Sequence, residues 1–316
     1  MRIALLDDYQ RVARDFAPWD ERLPAGASLQ VFHDHLTDPD ALAERLHPFD
    51  VIGVMRERTP FPRALIERLP NLRLLVTTAG YNAAIDMEAA REYGIIVCGT
   101  EGTPHGTAEL AFALILALAR NLVAEYESVR SGGWQTGIGQ DLSGATLALA
   151  GLGRLGARVA AIGKAFGMEV IAWSTNLTGE HAAKHGVEAV SREDLFARAD
   201  FLSIHLRLSE RSRGLFGAAD FARMQPHAAL VNTSRGGLLD TEALLAALDA
   251  GRPGAAALDV FDEEPLPADS PLRHHGKLLL TPHIGYVTRA TYKTFYEGML
   301  EAICAYHAGS PVRVIA

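Results

Sequence analysis

The sequence contains little cysteine and no apolar run long enough to cross a membrane. Cys98 and Cys304 are the only cysteines among 316 residues, too few for a disulfide framework, so we expect a reducing compartment such as the cytoplasm. The run Leu110–Ala119 is well short of the ~20 apolar residues that span a bilayer, and it predicts a buried helix instead. Because Asp7 and Asp8 interrupt the apolar start of the chain, the amino terminus does not resemble a signal peptide.

The chain also lacks an excess of basic residues. It carries 30 Lys and Arg against 38 Asp and Glu, which gives a formal net charge of −8. Proteins that bind nucleic acid or anionic membranes without specificity need basic patches, so this balance argues against both partners. An anionic substrate would have to be bound by individual arginines. Hydrophobic residues make up 48% and charged residues 22% of the chain, which is ordinary for a globular protein, and the length predicts about two domains.

Residues Thr146–Trp173 have the pattern of a strand, a glycine turn, a helix and a second strand. Gly151, Gly153 and Gly156 follow the first apolar run in the spacing G-x-G-x-x-G. The first glycine permits a sharp bend, the second lets a pyrophosphate approach the backbone, and the third lets the helix pack on the strand. The free N–H groups at the helix start favour a negative group. The pattern predicts a dinucleotide site, with a purely structural glycine turn as the alternative.

One part of such a unit is missing. A carboxylate usually ends the second strand and binds the adenosine ribose hydroxyls, but here Ser174, Thr175 and Asn176 occupy that place. No acid at this position would repel a 2′-phosphate, and no adjacent arginine would attract one. The choice between NAD and NADP therefore stays open.

Strands alternate with short helices along most of the chain, which predicts an α/β fold with two doubly wound parallel sheets. The predicted strands are Arg2–Leu6, Leu29–His33, Val51–Met55, Leu72–Val76 and Ile95–Val97, then Thr146–Ala150, Glu169–Trp173, Phe201–Ile204, Ala229–Asn232, Ala255–Leu258 and Leu278–Leu280. The predicted helices include Pro39–Leu46, Pro62–Leu69, Asp86–Tyr93, one long apolar helix Thr107–Arg130, Thr241–Ala250 and Thr288–His307. We expect a discontinuous first domain, residues 1–100 and 286–316, around a middle domain, residues 101–285, with the ligand bound between them.

Polar groups follow three predicted strands of the second series. Arg235 lies in TSRGG, Glu264 in DVFDEEP and His283 in TPHIG. An arginine can hold a carboxylate with two hydrogen bonds, and a histidine beside a carboxylate suits proton transfer near neutral pH. From the residues alone, a surface arginine, a solvated acidic loop and a structural histidine remain alternatives.

Four motifs occur in the order GLGRLG, VNTSRGGLLD, ALDVFDEEP and LTPHIG. Together with TTAGYNAAID and TAELAFALILALARN, they closely resemble the D-isomer-specific 2-hydroxyacid dehydrogenases over nearly the whole chain. The resemblance implies a Rossmann dinucleotide-binding domain inserted in a discontinuous, flavodoxin-like substrate domain, and a homodimer. It also implies reversible hydride transfer between NAD or NADP and a small D-2-hydroxy acid or its 2-oxo acid, similar to glyoxylate or hydroxypyruvate.

The resemblance assigns roles to individual residues. Arg235 would hold the substrate carboxylate and carbonyl, His283 would be the acid/base, and Glu264 would keep the imidazole charged and oriented. The cofactor-binding residues from the glycine turn and the resemblance are Thr107, Gly151, Leu152, Gly153, Arg154, Leu155, Gly156, Ser174, His205, Arg207, Thr233, Ser234, Asp259 and Gly285. The substrate-binding residues include Ala79 and Gly80, in the loop whose backbone N–H groups would bind the carboxylate, and Tyr81 beside them. Arg56 is a candidate second cation for the substrate, with a structural role as the alternative. No metal is expected.

The sequence also departs from the family pattern. His205-Leu206-Arg207-Leu208 stands where the family usually has H-x-P-L beside the adenine, so Arg207 could reach a 2′-phosphate or be solvated. Ser174 replaces the usual acid. Thr78 replaces a common glycine and Asn82 a common aspartate on the substrate side, which leaves the substrate itself open.

Two other functions are compatible with the glycine turn. A dinucleotide-sensing, corepressor-like protein is one, although the complete catalytic set argues against it, and a methyltransferase that binds S-adenosylmethionine is the other. His33 and His35 could suggest a metal site, but we interpret them as surface residues. Cys98 has no paired base and is interpreted as a small core residue.

Overall fold

The computed structural model describes residues 1–316, and the chain divides into two compact units. Unit 1 comprises residues Met1–Thr103 and Thr288–Ala316, and unit 2 comprises Pro104–Val287. Each unit contains one parallel sheet covered by helices.

Unit 1 is built on a five-stranded sheet. Its strands are β1 (Arg2–Leu5), β2 (Ser28–Val31), β3 (Val51–Val54), β4 (Leu74–Thr77) and β5 (Ile96–Gly99), and its first helices are α1 (Ala13–Phe16), α2 (Trp19–Arg22), α3 (Pro39–Leu46), α4 (Arg63–Ile66) and α5 (Met87–Glu92). The strands pair in parallel in the order β2-β1-β3-β4-β5. This is the flavodoxin-like order, which confirms the predicted fold. Strands β3 and β4 are buried along their whole length, as expected for a sheet covered on both faces.

Unit 2 is built on a seven-stranded sheet. Its helices are α6 (His105–Ala119), α7 (Leu122–Arg130), α8 (Arg154–Ala165), α9 (Gly179–Lys184), α10 (Arg192–Ala197), α11 (Ala218–Phe221) and α12 (Thr241–Asp249). Its strands are β6 (Thr146–Ala150), β7 (Glu169–Trp173), β8 (Glu188–Ala189), β9 (Phe201–Ile204), β10 (Ala229–Asn232), β11 (Ala255–Leu258) and β12 (Leu278–Leu280). They pair in the order β12-β11-β10-β9-β6-β7-β8. Counted from β6, this is the Rossmann order with one further strand beyond β11.

The prediction of one long helix over Thr107–Arg130 is wrong. Asn121 adopts a left-handed backbone conformation, with φ 50°, and separates α6 from α7 at a bend of 61°. Asparagine is one of the few residues that adopt this conformation easily, so it ends the first helix. Helix α6 buries a long apolar face, whereas α7 buries no residue. Neither helix alone could span a bilayer; only the bent pair meets that test, and by length and composition alone.

The carboxyl-terminal segment returns to unit 1 as α13 (Arg289–His307). Thr288 caps it by accepting a hydrogen bond from the Thr291 N–H. The helix packs closely on the sheet, because a Cβ at Gly53 would lie 3.3 Å from the Met299 sulfur. After α13 the chain forms an antiparallel bridge between Val314 and Cys98, beside β5.

His35 is not a surface residue, which corrects our interpretation of this region. Strand β2 ends at Val31, so His33 and His35 lie beyond it and no strand places them on one face. The His35 Nδ1 lies 2.9 Å from the buried carboxylate of Asp7, and the His35 side chain is 11% exposed. The same carboxylate accepts a hydrogen bond of 2.7 Å from Thr59. A buried carboxylate needs such partners, and they draw His35 toward the end of β1.

Candidate active site

Three neighbouring strands of unit 2 bring the predicted catalytic residues to one edge of the sheet. Strands β10, β11 and β12 lie side by side and run parallel. Arg235 follows β10, Glu264 lies in the loop after β11, and His283 follows β12. Carboxyl ends of parallel strands meet at the same edge, which is where such sheets bind ligands.

The structure brings Glu264 and His283 into direct contact. The Glu264 Oε2 lies 2.5 Å from the His283 Nδ1, with 29% and 19% of the two side chains exposed. The other carboxylate oxygen accepts a hydrogen bond of 2.8 Å from the Phe261 N–H, so the glutamate is fixed from both sides. With Nδ1 engaged, Nε2 is the imidazole nitrogen that can exchange a proton with a ligand.

The turn that carries His283 is held by Asp259. His283 has a φ of 52°, in the left-handed region that is uncommon for residues other than glycine. The buried carboxylate of Asp259 accepts hydrogen bonds from the Thr281 hydroxyl at 2.6 Å, the Ile284 N–H at 2.8 Å and the Gly285 N–H at 2.9 Å. Burial raises the pKa of the Asp259 carboxyl, and these three hydrogen bonds oppose that effect.

Thr107 reaches the same turn from the start of α6. Its hydroxyl donates a hydrogen bond of 3.1 Å to the Gly285 carbonyl. A Cβ at Gly285 would lie within 3.3 Å of Thr107 and Asp259, so the glycine permits this close approach. Two of the predicted cofactor contacts, Thr107 and Asp259, are therefore already bonded to the backbone beside His283.

Arg235 precedes a short 3-10 turn at Gly236–Leu238. Neither of the two glycines in this turn has a positive φ. Gly236 instead allows two backbones to touch, because a Cβ there would lie 2.2 Å from the Phe261 carbonyl carbon. The segment that carries Arg235 is thus packed against the loop that carries Glu264. The Arg235 Nη1 donates to the Ser234 carbonyl at 2.7 Å.

The glycine turn between β6 and α8 fits a bound phosphate. Gly151 has a φ of 105°, and a Cβ there would lie 2.7 Å from the His205 carbonyl oxygen. A Cβ at Gly156 would lie 2.1 Å from the Gly151 carbonyl oxygen. At Gly153, by contrast, an added Cβ would meet nothing within 4 Å. The first and third glycines serve internal packing, and the second leaves open space at the N-terminus of α8.

Two buried polar atoms beside this turn have no partner in the protein. They are the Thr233 Oγ1, directly after β10, and the His205 Nδ1, directly after β9. The His205 Nε2 lies 2.9 Å from the Ser203 hydroxyl, and burial lowers the pKa of His205 to about 4, so the ring is neutral. Buried polar atoms are nearly always hydrogen-bonded, and the polar groups of a dinucleotide would supply what these two lack. The residues present therefore fit this cofactor.

The remaining predicted cofactor residues lie around the same edge. Ser174 directly follows β7 and is partly exposed, and Arg207 is exposed after β9. Ser234 is fixed by a hydrogen bond to the Ile204 carbonyl at 2.7 Å. Backbone positions Leu152, Arg154 and Leu155 form the glycine turn and the start of α8. His181, which the sequence did not single out, contacts the glycine turn, where its Nε2 lies 3.2 Å from the Leu152 carbonyl oxygen. No local pattern could have indicated it, since the residue lies on a separate helix.

The predicted substrate residues lie at strand ends of unit 1. Arg56 and Ala79 have φ values of 55° and 65°. Thr78 and Asn82, the residues that depart from the family pattern, connect the two loops: the Thr78 hydroxyl accepts from the Arg56 N–H at 2.8 Å, and the Asn82 amide donates to the Arg56 carbonyl at 2.7 Å. Tyr81 is 69% exposed.

One predicted contact in this loop needs correction. The Ala79 N–H donates a hydrogen bond of 2.8 Å to the Thr100 hydroxyl. It is therefore not available to a substrate carboxylate in this conformation. The N–H groups of Gly80 and Tyr81 remain as the donors that the loop can offer.

Comparison with known proteins identifies the family. Residues 112–285 match the family model described as D-isomer specific 2-hydroxyacid dehydrogenase, NAD binding domain. A glyoxylate reductase of Aeropyrum pernix is 44% identical over 237 residues, which cover 72% of this chain and 71% of that protein. A glyoxylate reductase of Korarchaeum cryptofilum is 34% identical over 92% of this chain and 86% of that protein.

A solved structure agrees with these matches. The phosphoglycerate oxidoreductase of Vibrio cholerae is 37% identical and superposes with a TM-score of 0.93 over 98% of this chain and 100% of that one. The motifs around Gly151, Arg235, Glu264 and His283 had suggested the same family. The chain belongs to the D-isomer-specific 2-hydroxyacid dehydrogenases.

Proposed function

We propose that the protein reduces a small 2-oxo acid, similar to glyoxylate or hydroxypyruvate, to the D-2-hydroxy acid with NADH or NADPH, and catalyses the reverse reaction. The observation that carries the proposal is the contact of 2.5 Å between the Glu264 carboxylate and the His283 imidazole, at the same sheet edge as the glycine turn. The names of the two archaeal relatives support a small substrate.

His283 is the proton donor in this proposal. Its Nε2 gives a proton to the carbonyl oxygen of the 2-oxo acid, and Glu264 stabilises the imidazolium through Nδ1. The Arg235 guanidinium binds the substrate carboxylate and carbonyl through paired hydrogen bonds. A bound nicotinamide supplies the hydride in one direction and accepts it in the other.

The cofactor would be held by three groups of residues in unit 2. The pyrophosphate is assigned to the backbone of Gly151–Gly156 at the start of α8. The adenosine end is assigned to Ser174, His205 and Arg207. The nicotinamide end is assigned to Thr107, Thr233, Ser234, Asp259 and Gly285. Because position 174 holds no acid, the choice between NAD and NADP stays open.

Residues of unit 1 complete the substrate assignment. Arg56 is proposed as a second cation for the acid. Among Ala79, Gly80 and Tyr81, the backbone N–H groups of Gly80 and Tyr81 are the proposed donors to the carboxylate, because the Ala79 N–H is engaged by Thr100. We assign substrate binding to unit 1 and cofactor binding to unit 2.

A homodimer in the cytoplasm is part of the proposal. Helix α7 and the segment after it expose large apolar side chains, which is typical of a surface that another subunit covers. They are Leu122, Val123, Tyr126, Val129, Trp134 and Ile138. Glu125 holds this segment on α7 through hydrogen bonds from the N–H groups of Thr136 and Gly137. The free thiols Cys98 and Cys304 support a reducing compartment, and the net charge of −8 supports neither nucleic acid nor a membrane as partner.

The corepressor-like alternative is not favoured. The relatives reported above are named as enzymes, and the contact between Glu264 and His283 is what proton transfer requires.

A direct assay of nicotinamide oxidation tests the proposal. Oxidation of NADH and of NADPH is measured with a panel of 2-oxo acids, using the wild-type protein and His283→Asn. We expect turnover with at least one small acid and a loss of about 1000-fold or more in kcat for the variant, within the range for a general acid. Equal rates for both proteins with every acid would show that His283 is not the acid/base.

A further inference from the structure

Tyr286 lies three residues after His283, and its ring packs against the imidazole. The ring centroids are 5.5 Å apart with an angle of 77° between the planes, an edge-to-face arrangement. Tyr286 is only 9% exposed, so this large ring is held by its surroundings. Aromatic pairs prefer this geometry because the positive ring edge meets the negative ring face. The sequence had given no reason to select Tyr286.

Glu264 and Asp259 restrain the imidazole ring itself through a single hydrogen bond, the one at Nδ1. Asp259 accepts hydrogen bonds from the Thr281 hydroxyl and the Ile284 N–H, on either side of His283, and Glu264 binds the Nδ1 atom. A single hydrogen bond restrains the ring torsion softly, and the torsion that sets the plane of a histidine ring is broad. The ring plane determines where Nε2 points, so a further contact is needed to fix the direction of proton transfer.

We propose that Tyr286 is a positioning residue that fixes the plane of the His283 imidazole. Its ring supplies the edge-to-face contact that keeps Nε2 directed at the carbonyl oxygen while Glu264 holds Nδ1. This inference rests on the proposed function, in which His283 is the acid/base. It adds a residue that acts through the imidazole, without a contact of its own to the reacting atoms.

Substitutions at Tyr286 separate the ring from general packing. We expect Tyr286→Leu to lower kcat about 10-fold, because a modest misdirection of the proton donor slows the transfer step. KM for the 2-oxo acid and Kd for the nicotinamide cofactor should change by less than about twofold, since ground-state binding is not affected. Tyr286→Phe keeps the ring and should restore most of kcat. If Tyr286→Leu does not fold, Tyr286→Met supplies a flexible apolar replacement.

Phe196 provides the matched control. It is also fully buried in unit 2 and packs on another ring, that of Phe216 at 5.3 Å, but it lies on α10. Phe196→Leu should lower stability and leave kcat unchanged.

A double variant tests the path of the effect. In a Glu264→Gln background the imidazole has already lost its ionised partner, so the further loss from Tyr286→Leu should be clearly smaller than in the wild type. Additive losses would show that Tyr286 does not act through the same imidazole.

The outcomes distinguish this inference from the proposed function. Wild-type kcat in Tyr286→Leu, equal impairment of Tyr286→Phe and Tyr286→Leu, or an equal loss of kcat in Phe196→Leu each overturns the role of Tyr286. Full activity of His283→Asn overturns the proposed function itself, whatever Tyr286 does.

Discussion

The turn that carries His283 in unit 2 and the turn that carries Ala79 in unit 1 share a left-handed backbone conformation. Different side chains hold the two turns in place. Each follows a parallel strand and places a non-glycine residue in the left-handed region. The carboxylate of Asp259 holds the first turn through three hydrogen bonds. Neutral hydroxyls hold the second, those of Thr100 and Thr78.

The two turns differ in the strength of the hydrogen bonds that hold them and in how their stability depends on pH. Hydrogen bonds to a charged group contribute about 1.5–3 kcal/mol each, against about 1 kcal/mol for neutral pairs. Burial disfavours the ionised form of Asp259 and raises its pKa. This carboxyl therefore favours the folded state most below its unfolded pKa of about 4 and loses that contribution as the pH rises through the folded value. The Ala79 turn is held by hydroxyl groups that do not titrate, so its stability should not depend on pH.

The largest expected effect is the sensitivity of unit 2 to mild acid. The pKa of His205 is lowered from 6.5 to about 4 by burial, so its neutral ring stabilises the fold above pH 6.5. That contribution, about 3 kcal/mol, is lost as the pH falls from 6.5 to 4. Urea unfolding at several pH values measures it, and His205→Gln should flatten the pH dependence, whereas the exposed His274→Gln should not. An unchanged pH dependence in His205→Gln would contradict this account.

Replacing Asp259 removes the carboxylate that holds the His283 turn. Asp259→Asn keeps one acceptor oxygen but presents an amide donor to the N–H groups of Ile284 or Gly285. The His283 turn should shift, and because a displacement of about 1 Å can cost about 100-fold in rate, we expect a loss of kcat of that size. Steady-state kinetics measures it, with Asp262→Asn in the same loop as the control. If both variants keep wild-type kcat, Asp259 does not hold the turn in its active geometry.

Ser174 is a neutral residue at the place where dinucleotide-binding units usually have a carboxylate. Introducing a carboxylate there sharpens the comparison between charged and neutral groups. Ser174→Asp should weaken NADPH binding about 10-fold more than NADH binding, because the new carboxylate would repel a 2′-phosphate. Fluorescence titration with both cofactors measures this. The matched variant Ser174→Asn, without the charge, should affect both cofactors equally. An identical change for NADH and NADPH in Ser174→Asp would remove this residue from the adenosine pocket.

The smallest effect is expected at the Ala79 turn, which neutral hydroxyls hold. Thr100→Val removes the acceptor of the Ala79 N–H and should lower the free energy of unfolding by about 1 kcal/mol, with no dependence on pH. Thr294→Val on α13, where the hydroxyl bonds only the Ala290 carbonyl, is the control. A pH-dependent loss in Thr100→Val would show that the Ala79 turn is coupled to a titrating group.

Much of the fold could be predicted from local patterns. The unit from β6 to β7 follows from one apolar run, three glycines and a helical apolar face, all within Thr146–Trp173. The contact between Glu264 and His283 joins two strand ends, and only the resemblance to a family predicted it. Local periodicity carries no information on contacts of that kind.

The features that were missed depend on the conformation of single residues or on distant partners. Asn121 divides α6 from α7 through a backbone conformation that leaves no mark on the apolar pattern. His35 is partly buried beside Asp7, which follows a different strand. The ring contact of Tyr286 depends on the turn that Asp259 creates, so the sequence around Tyr286 could not reveal it.

The return of α13 to unit 1 has a consequence for the order of events during synthesis. Strands β1–β5 leave the ribosome first, yet the sheet surface at Gly53 stays uncovered until residues Thr288–Ala316 have followed. Unit 2 is continuous and can fold in the meantime. Unit 1, whose strands are translated earliest, is therefore the last to mature, and a chaperone that shields nascent apolar surface would have its longest contact there.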